Sequence, residues 1–282
     1  MKKTEFAKSA IINKNTYVMF YERLKELAIN SFEWLNVPET IDARFLELTL
    51  FENGVSVFFR DEIIGYLALQ CAIGGMINIY NIPTAPRAYA ANGYNAQLTL
   101  KNSVLIWNNY NHTNCMLEIQ EYARRLYEIQ RAIDVNVTAQ KTPILIQCSE
   151  NQRLTLKNIY KQYDGNEPFI FGDKNFLPDS IKVLSTNAPY VADKLQILKR
   201  QVWNEALTFL GIENSNTEKR ERLVSDEVNT NLGAVHAQRM ARLNSRKDAC
   251  KQINKMFGLN IDVRYNSTFE NYLNTESGEN GG

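Results

Sequence analysis

Apolar residues recur at steps of three and four in several stretches of this chain, and between them the texture changes to short apolar runs punctuated by Gly, Pro and Asn. That alternation predicts long helices separated by small β-rich modules. Val18, Tyr21, Leu24, Leu27 and Phe32 mark one face of a helix over Thr16 to Trp34, and Asp42 caps a shorter one reaching Phe51. Ile63 to Ile79 is the longest apolar run, broken by Gly65, Gln70, Gly74, Gly75 and Asn78. A membrane span needs about 20 mainly apolar residues, so this run reads as a buried helix from Glu62 to Ile73, ended by Gly74-Gly75. From Met76 to Tyr110 the runs Gln97 to Leu100 and Val104 to Trp107 predict a small sheet or hairpin set.

A helix then starts at Thr113 or Asn114 and reaches about Val137, with Ile119, Tyr122, Leu126, Ile129, Ile133 and Val137 as its apolar stripe. Its other face offers the opposite-charge pairs Glu121 with Arg125, Arg124 with Glu128, and Arg131 with Asp134. Lys141 to Thr186 reads as a compact β-rich module: strands at Ile144 to Cys148, Phe169 to Phe171 and Ser180 to Leu184, and a short helix over Thr155 to Tyr163. A second long helix begins with Asn187 as cap and Pro189 in its first turn, carries Val191, Leu195, Leu198, Val202, Ala206 and Phe209 on one face, and stops at Gly211. Glu213 to Asn244 is rich in charge, Asn and Ser. Ser245 then caps a helix to Phe257, and Leu259 to Tyr265 reads as a strand before a polar tail, Asn274 to Gly282, expected to be disordered. The fold class is therefore α+β and mainly helical, with two long helices bracketing a β module.

Composition narrows the chemistry. Thirty-two Lys and Arg balance thirty-one Asp and Glu for a net charge of +1, whereas a protein gripping duplex through many phosphates carries a clear basic excess. Tight static DNA binding is disfavoured. Cys71, Cys115, Cys148 and Cys250 lie far apart without paired spacing and no signal peptide precedes them, so reduced thiols in a cytosolic setting are expected. With only His112 and His236, both remote from any cysteine, no metal-ligand cluster forms in the sequence. No Gly-x-x-x-x-Gly-Lys-Ser/Thr run is present, so ATP hydrolysis is not expected, and neither is any cofactor or metal. Trp34 and Trp203 sit in apolar helical contexts and read as packing residues rather than stacking platforms. The carboxylates Glu213, Glu218, Glu221, Asp226 and Glu227 define the alternative function, a metal-dependent DNA-processing enzyme. They share one charge-mixed loop without a scaffold strand or His partner, which favours a solvated loop.

Three segments carry a more specific likeness: Lys141-Thr142-Pro143-Ile144-Leu145-Ile146, Asn187-Ala188-Pro189-Tyr190-Val191, and Glu218-Lys219-Arg220-Glu221-Arg222-Leu223-Val224-Ser225-Asp226-Glu227-Val228. In this order they resemble the upper collar, or head-tail connector (portal), proteins of small short-tailed phages of the phi-twenty-nine type. The likeness extends more thinly from Ser31-Phe32-Glu33-Trp34 to the Ser245 to Leu259 segment. The resemblance implies a wing at residues 1–112 and 245–273, stem helices at 113–139 and 187–211, a clip at 140–186, and a tunnel loop at 212–244, with the tail at 274–282. It implies further a homododecameric ring at one vertex of the virion, assembled in the host cytoplasm, whose channel passes double-stranded DNA during packaging and ejection. The implied partners are major capsid and scaffolding proteins at the wing, and a packaging ATPase and a lower collar or tail protein at the clip. No enzymatic activity is implied.

Taken alone, Lys194 is a charge on the polar side of a helix. Within the Ala188 to Leu195 match it falls on a channel-facing lysine of the family, and Lys219 and Arg220 match two adjacent basic residues of the tunnel loop. A further family lysine aligns with Ser185, so one basic ring is missing. Symmetry turns each remaining cation into a ring of charge, and few such rings suit a duplex that must slide, because every phosphate contact adds affinity. Related connectors carry an Arg- and Lys-rich N-terminal segment associated with a packaging RNA. Met1 to Asn15 here has Lys2, Lys3, Lys8 and Lys14 and no Arg. Lys lacks the planar fork that grips phosphate bidentately, so non-specific nucleic-acid or capsid contacts are expected of this arm rather than dedicated RNA binding.

Overall fold

The computed structural model describes residues 3–75, 77–140, 189–213 and 225–266. The β-rich module expected at Lys141 to Thr186 and the tail lie outside these residues. The described elements run α1 (Lys3–Ile29), β1 (Phe32–Leu35), α2 (Ala43–Asn53), β2 (Val55–Asp61), β3 (Gly65–Ala72), β4 (Arg87–Tyr89), β5 (Asn95–Gln97), β6 (Ser103–Trp107), α3 (Met116–Ala139), α4 (Ala192–Leu210), α5 (Ser225–Phe257) and β7 (Asp262–Tyr265). They divide between two compact units, one of Met1–Glu128 with Lys199–Gly282 and one of Ile129–Leu198.

In the first unit an antiparallel five-stranded sheet has the order β5-β4-β3-β2-β6. Its central strand β2 is buried from Val55 to Phe59. Successive side chains of a strand point to opposite faces, and here both faces are covered. Phe58 lies with Ala68, Val104 and Ile106 in a core closed by α2, α5, β1 and β7. Val55, Val57 and Phe59 belong to a second core with Leu67, Cys71, Ala88 and Leu105. Double burial removes the apolar-polar alternation by which a half-buried strand is recognised. The helix expected over Glu62 to Ile73 is therefore a strand, β3, paired with β2 in the register Phe58↔Ala68. The run Gln97 to Leu100 is likewise not a strand beyond Gln97; Leu98 leaves the sheet edge and packs into the second core.

The expected first helix is longer and stops sooner. It buries Phe20, Leu24 and Ala28, whereas Val18 is exposed. Phe32 and Trp34 are not helical but sit in β1, whose antiparallel partner β7 lies at the other end of the described chain (Phe32↔Tyr265, Trp34↔Val263). Asp42 does cap α2, its carboxylate accepting from the Phe45 backbone N–H at 3.0 Å. The helix ends at Gly54 in the left-handed region (φ 79°), where a Cβ would lie 2.7 Å from the backbone N of Asn114, so only glycine can occupy this position unstrained.

The last helix starts at Ser225, not Ser245, which lies buried inside it. Its inward face carries three arginines as well as Leu243, Ala249, Cys250 and Ile253. Arg246 and Glu47 are essentially inaccessible, at 0% and 2% exposure. The Arg246 guanidinium donates from Nε and Nη2 to the two Glu47 carboxylate oxygens, both at 2.8 Å, and from Nη1 to the Asn108 and Arg242 carbonyls. It also stacks 4.1 Å from the Phe32 ring centroid. Trp34 completes the shell by donating Nε1–H to Glu47 at 2.8 Å. The Arg246–Glu47 pair is tolerated in this core because all of the Arg246 donors and both Glu47 oxygens find partners. The expectation that Trp34 packs rather than stacks on a ligand holds.

Candidate nucleic-acid interface

Lys194 occupies the first turn of α4, exposed beside Asp193. The turn is set by Leu195 N–H donating to the Val191 carbonyl at 3.0 Å, with Pro189 just before the helix rather than in it. In this second unit Asn136 of α3 holds the approach to the turn, donating to the Pro189 carbonyl at 2.9 Å and accepting from Val191 N–H at 3.0 Å. A cation in the first turn opposes the helix dipole, whose positive end lies there. Helix stability therefore does not account for Lys194, and none of the ion pairs among the described residues uses it. Its ammonium is available to an external anion.

Lys219 and Arg220 lie outside the described residues, as does Ser185, so the structure does not bring them together with Lys194. It does fix the point from which their segment departs, within the first unit. Gly211 (φ 75°) ends α4 in a Schellman arrangement: its N–H donates to the Thr208 carbonyl at 3.0 Å, and Ile212 N–H to the Leu207 carbonyl at 2.9 Å. Two arginines of α5 take up two further carbonyls, Arg239 donating to Gly211 O at 3.1 Å and Arg242 to Leu210 O at 3.2 Å. A Cβ at position 211 would sit 2.9 Å from the Arg239 backbone. Arg239 also pairs with Glu213 at 3.5 Å. Burial works against the charge of Arg242, lowering its pKa. The sequence offered one signal for this clamp that went unused: Arg239, Arg242 and Arg246 recur at helical spacing beside Leu243 and Cys250.

Several other cations on or beside these helices are engaged within the protein. The Arg23 guanidinium lies 5.1 Å from the Trp203 ring centroid and Lys199 Nζ lies 5.8 Å from that of Phe20, so Trp203 is occupied within the protein. On α3, Glu121 pairs with Arg124 rather than the expected Arg125, which reaches across to Glu205 of α4 at 3.0 Å. That contact, with Tyr122 against Phe209, sets α3 and α4 antiparallel within the first unit. Arg131 and Asp134 form the expected pair at 3.8 Å. Among the described residues, no group of three or more His, Cys, Asp or Glu could hold a metal. Burial pushes the Cys71 and Cys250 thiols up to about 12, which removes them as nucleophiles. No described helix is long and apolar enough to cross a membrane.

The profile of the family described as Phage Connector (GP10) matches residues 2–270. The fold is similar to a chain in the structure "Portal and tail of native bacteriophage P68", at 17% identity and a TM-score of 0.52 over 100% of this chain and 98% of that one. A more distant likeness, 11% identity and a TM-score of 0.45 over 92% and 95% of the two chains, is to an HK97 family phage portal protein from Corynebacterium diphtheriae. With nearly its whole length matched, the chain belongs to the phage connector family of structural, non-enzymatic portal proteins that join the phage head to its tail.

Proposed function

We propose that this portal protein works as a closed dodecameric ring at the portal vertex of the virion, its channel passing double-stranded DNA inward during packaging and outward during ejection. In this reading the first unit contains the wing, α3 and α4 are the stem, residues 140–186 form the clip, and Lys194, Lys219 and Arg220 line the channel. Capsid and scaffolding proteins meet the wing, and a packaging ATPase and lower collar protein dock at the clip. What supports the ring is the apolar surface that the long helices leave uncovered: Leu117, Val135 and Val137 on α3, Ile197 and Leu198 on α4, and Tyr190 before it, are exposed in the single chain. Apolar surface of this kind calls for a neighbour. Head-to-tail contacts between identical copies close into rings when the rotation allows. What supports the channel role is the unpaired Lys194 in a turn where the helix dipole disfavours it.

Mass photometry with negative-stain imaging tests the assembly: closed rings are expected, and a stable monomer at micromolar concentration refutes it. For the channel, K194A, K219A and R220A combined are expected to leave ring formation intact while lowering DNA retention in late packaging. Loss of rings in that variant would mean that these side chains hold subunits together.

A further inference from the structure

Helix α4 begins without a cap of its own. Its first intrahelical bond runs from Leu195 N–H to the Val191 carbonyl, which makes Val191 the N-cap and Ala192, Asp193 and Lys194 the first three helical positions. Valine is among the poorest N-caps, because its side chain has no oxygen to offer the free N–H groups of the first turn. The third position does not help. In a capping box a Glu or Gln there reaches back to accept the N-cap N–H, and Lys194, which carries donors only, cannot. The acceptor comes instead from the last turn of α3. Asn136 Oδ1 accepts from Val191 N–H at 3.0 Å, and Nδ2 of the same amide donates to the Pro189 carbonyl at 2.9 Å. Only one orientation of that amide satisfies both groups, since a carbonyl can only accept and an N–H only donate.

We infer that Asn136 is a positioning residue for Lys194: it takes over, from a neighbouring helix, the acceptor's part that position 194 would otherwise play, and so lets that position carry an outward cation. The inference rests on the channel reading of Lys194 above and adds the residue that sets where this cation stands. A Glu at position 194 would let α4 close its own first turn, at the loss of the positive charge. A Lys there without Asn136 would strip the Val191 N–H of its acceptor, in a turn whose dipole already opposes the ammonium. Only the combination of Lys194 with Asn136 gives a closed turn and a free cation together. The two bonds span 53 and 55 positions of sequence, so one amide also ties the two stretches of chain that, in the same reading, lead into and out of the clip. It grips α4 at two backbone points. That fixes where the helix starts, and with it the angle about the helix axis at which Lys194 projects.

The test uses the full chain and two readouts. Hydrogen exchange resolved to the Val191 amide is expected to quicken about tenfold in N136A, and to return to the unsubstituted rate in N136A/K194E, whose carboxylate can accept within its own helix. N136D, which keeps the acceptor, is expected to stay near the unsubstituted rate. If Asn136 merely holds two helices together, N136A/K194E exchanges as fast as N136A; that result overturns the inference, as does an unchanged rate in N136A. The second readout is DNA retention in packaged heads. N136A is expected to lower it as K194A does, and N136A/K194A to fall no further than K194A, because both changes act through one ammonium. Additive losses overturn the positioning role. Should K194A alone retain DNA like the unsubstituted ring, the channel reading fails instead, and the exchange rates by themselves decide whether Asn136 caps α4.

Discussion

Replacing Arg246 by Met removes all five of its hydrogen bonds and leaves the Glu47 carboxylate inside the core with a single donor, Trp34 Nε1. Taking one partner from a buried pair costs about 3 to 5 kcal/mol, because the remaining charge has lost its compensation while keeping its burial. At about 2 to 4 °C per kcal/mol for a chain of this size class, the melting temperature should fall by roughly 6 to 20 °C. The companion variant E47Q/R246M separates charge from contact. A neutral Gln can still accept from Trp34, so what remains is the loss of the Arg246 donors to the backbone and side-chain oxygens of Asn108 and of packing on Phe32, about 1 to 3 kcal/mol. Guanidinium unfolding followed by circular dichroism, with all variants at one protein concentration because assembly adds to apparent stability, reads both. The reasoning fails if R246M lies within about 1 kcal/mol of the unsubstituted chain, or if E47Q/R246M is no more stable than R246M.

G211A forces a side chain into the left-handed region and against the Arg239 backbone, and should cost about 1 to 3 kcal/mol in the same unfolding assay. Y94F removes the largest cause of the lowered Asp61 pKa. A depressed carboxylate stabilises the fold above its unfolded pKa and loses that contribution as pH falls through the folded value. The stability gap between the chain and Y94F should therefore be present at neutral pH and shrink below about pH 4; a gap that grows on acidification refutes the assignment. Native protein at pH 8 should leave Cys71, Cys115 and Cys250 unlabelled by iodoacetamide, and peptide mass mapping that finds any of the three modified contradicts their burial.

The long amphipathic helices were legible because their apolar positions repeat at three and four and their ends carry capping residues. Ile119, Leu126, Val202 and Ala206 are buried as the spacing demands. Three kinds of position resisted. Phe32 to Trp34 continued a helical spacing, and the strand that claims them lies more than 200 positions away, beyond any local pattern. β2 and β3 are covered on both faces, so their runs carried no alternation. The first half of α5 was hidden by its polar composition, since Glu213 to Asn244 read as a charge-rich loop, whereas Arg242 within it is buried. Of the candidate site, resemblance supplied Lys194, and the structure adds that it is exposed in a helical first turn. Of the clamp on Gly211, the sequence carries the helical spacing of Arg239 and Arg242 but not their acceptors, because a backbone carbonyl leaves no trace in a sequence.

The pairing of β1 with β7 also has a bearing on synthesis. A ribosome adding about 5 to 20 residues per second needs on the order of tens of seconds to travel from Leu35 to Tyr265, and throughout that interval Phe32 and Trp34 have no strand to join. The local sheet of β2 to β6 can form early, since its strands lie close in sequence, but the face that receives Phe58, Leu46 and Leu50 stays open until α5 and β7 have emerged. A chain released before Asp262 keeps that face exposed and offers it to chaperones and proteases. Strand closure thus acts as a length check on translation: only a chain read through to Tyr265 can seal its own core before it meets another copy.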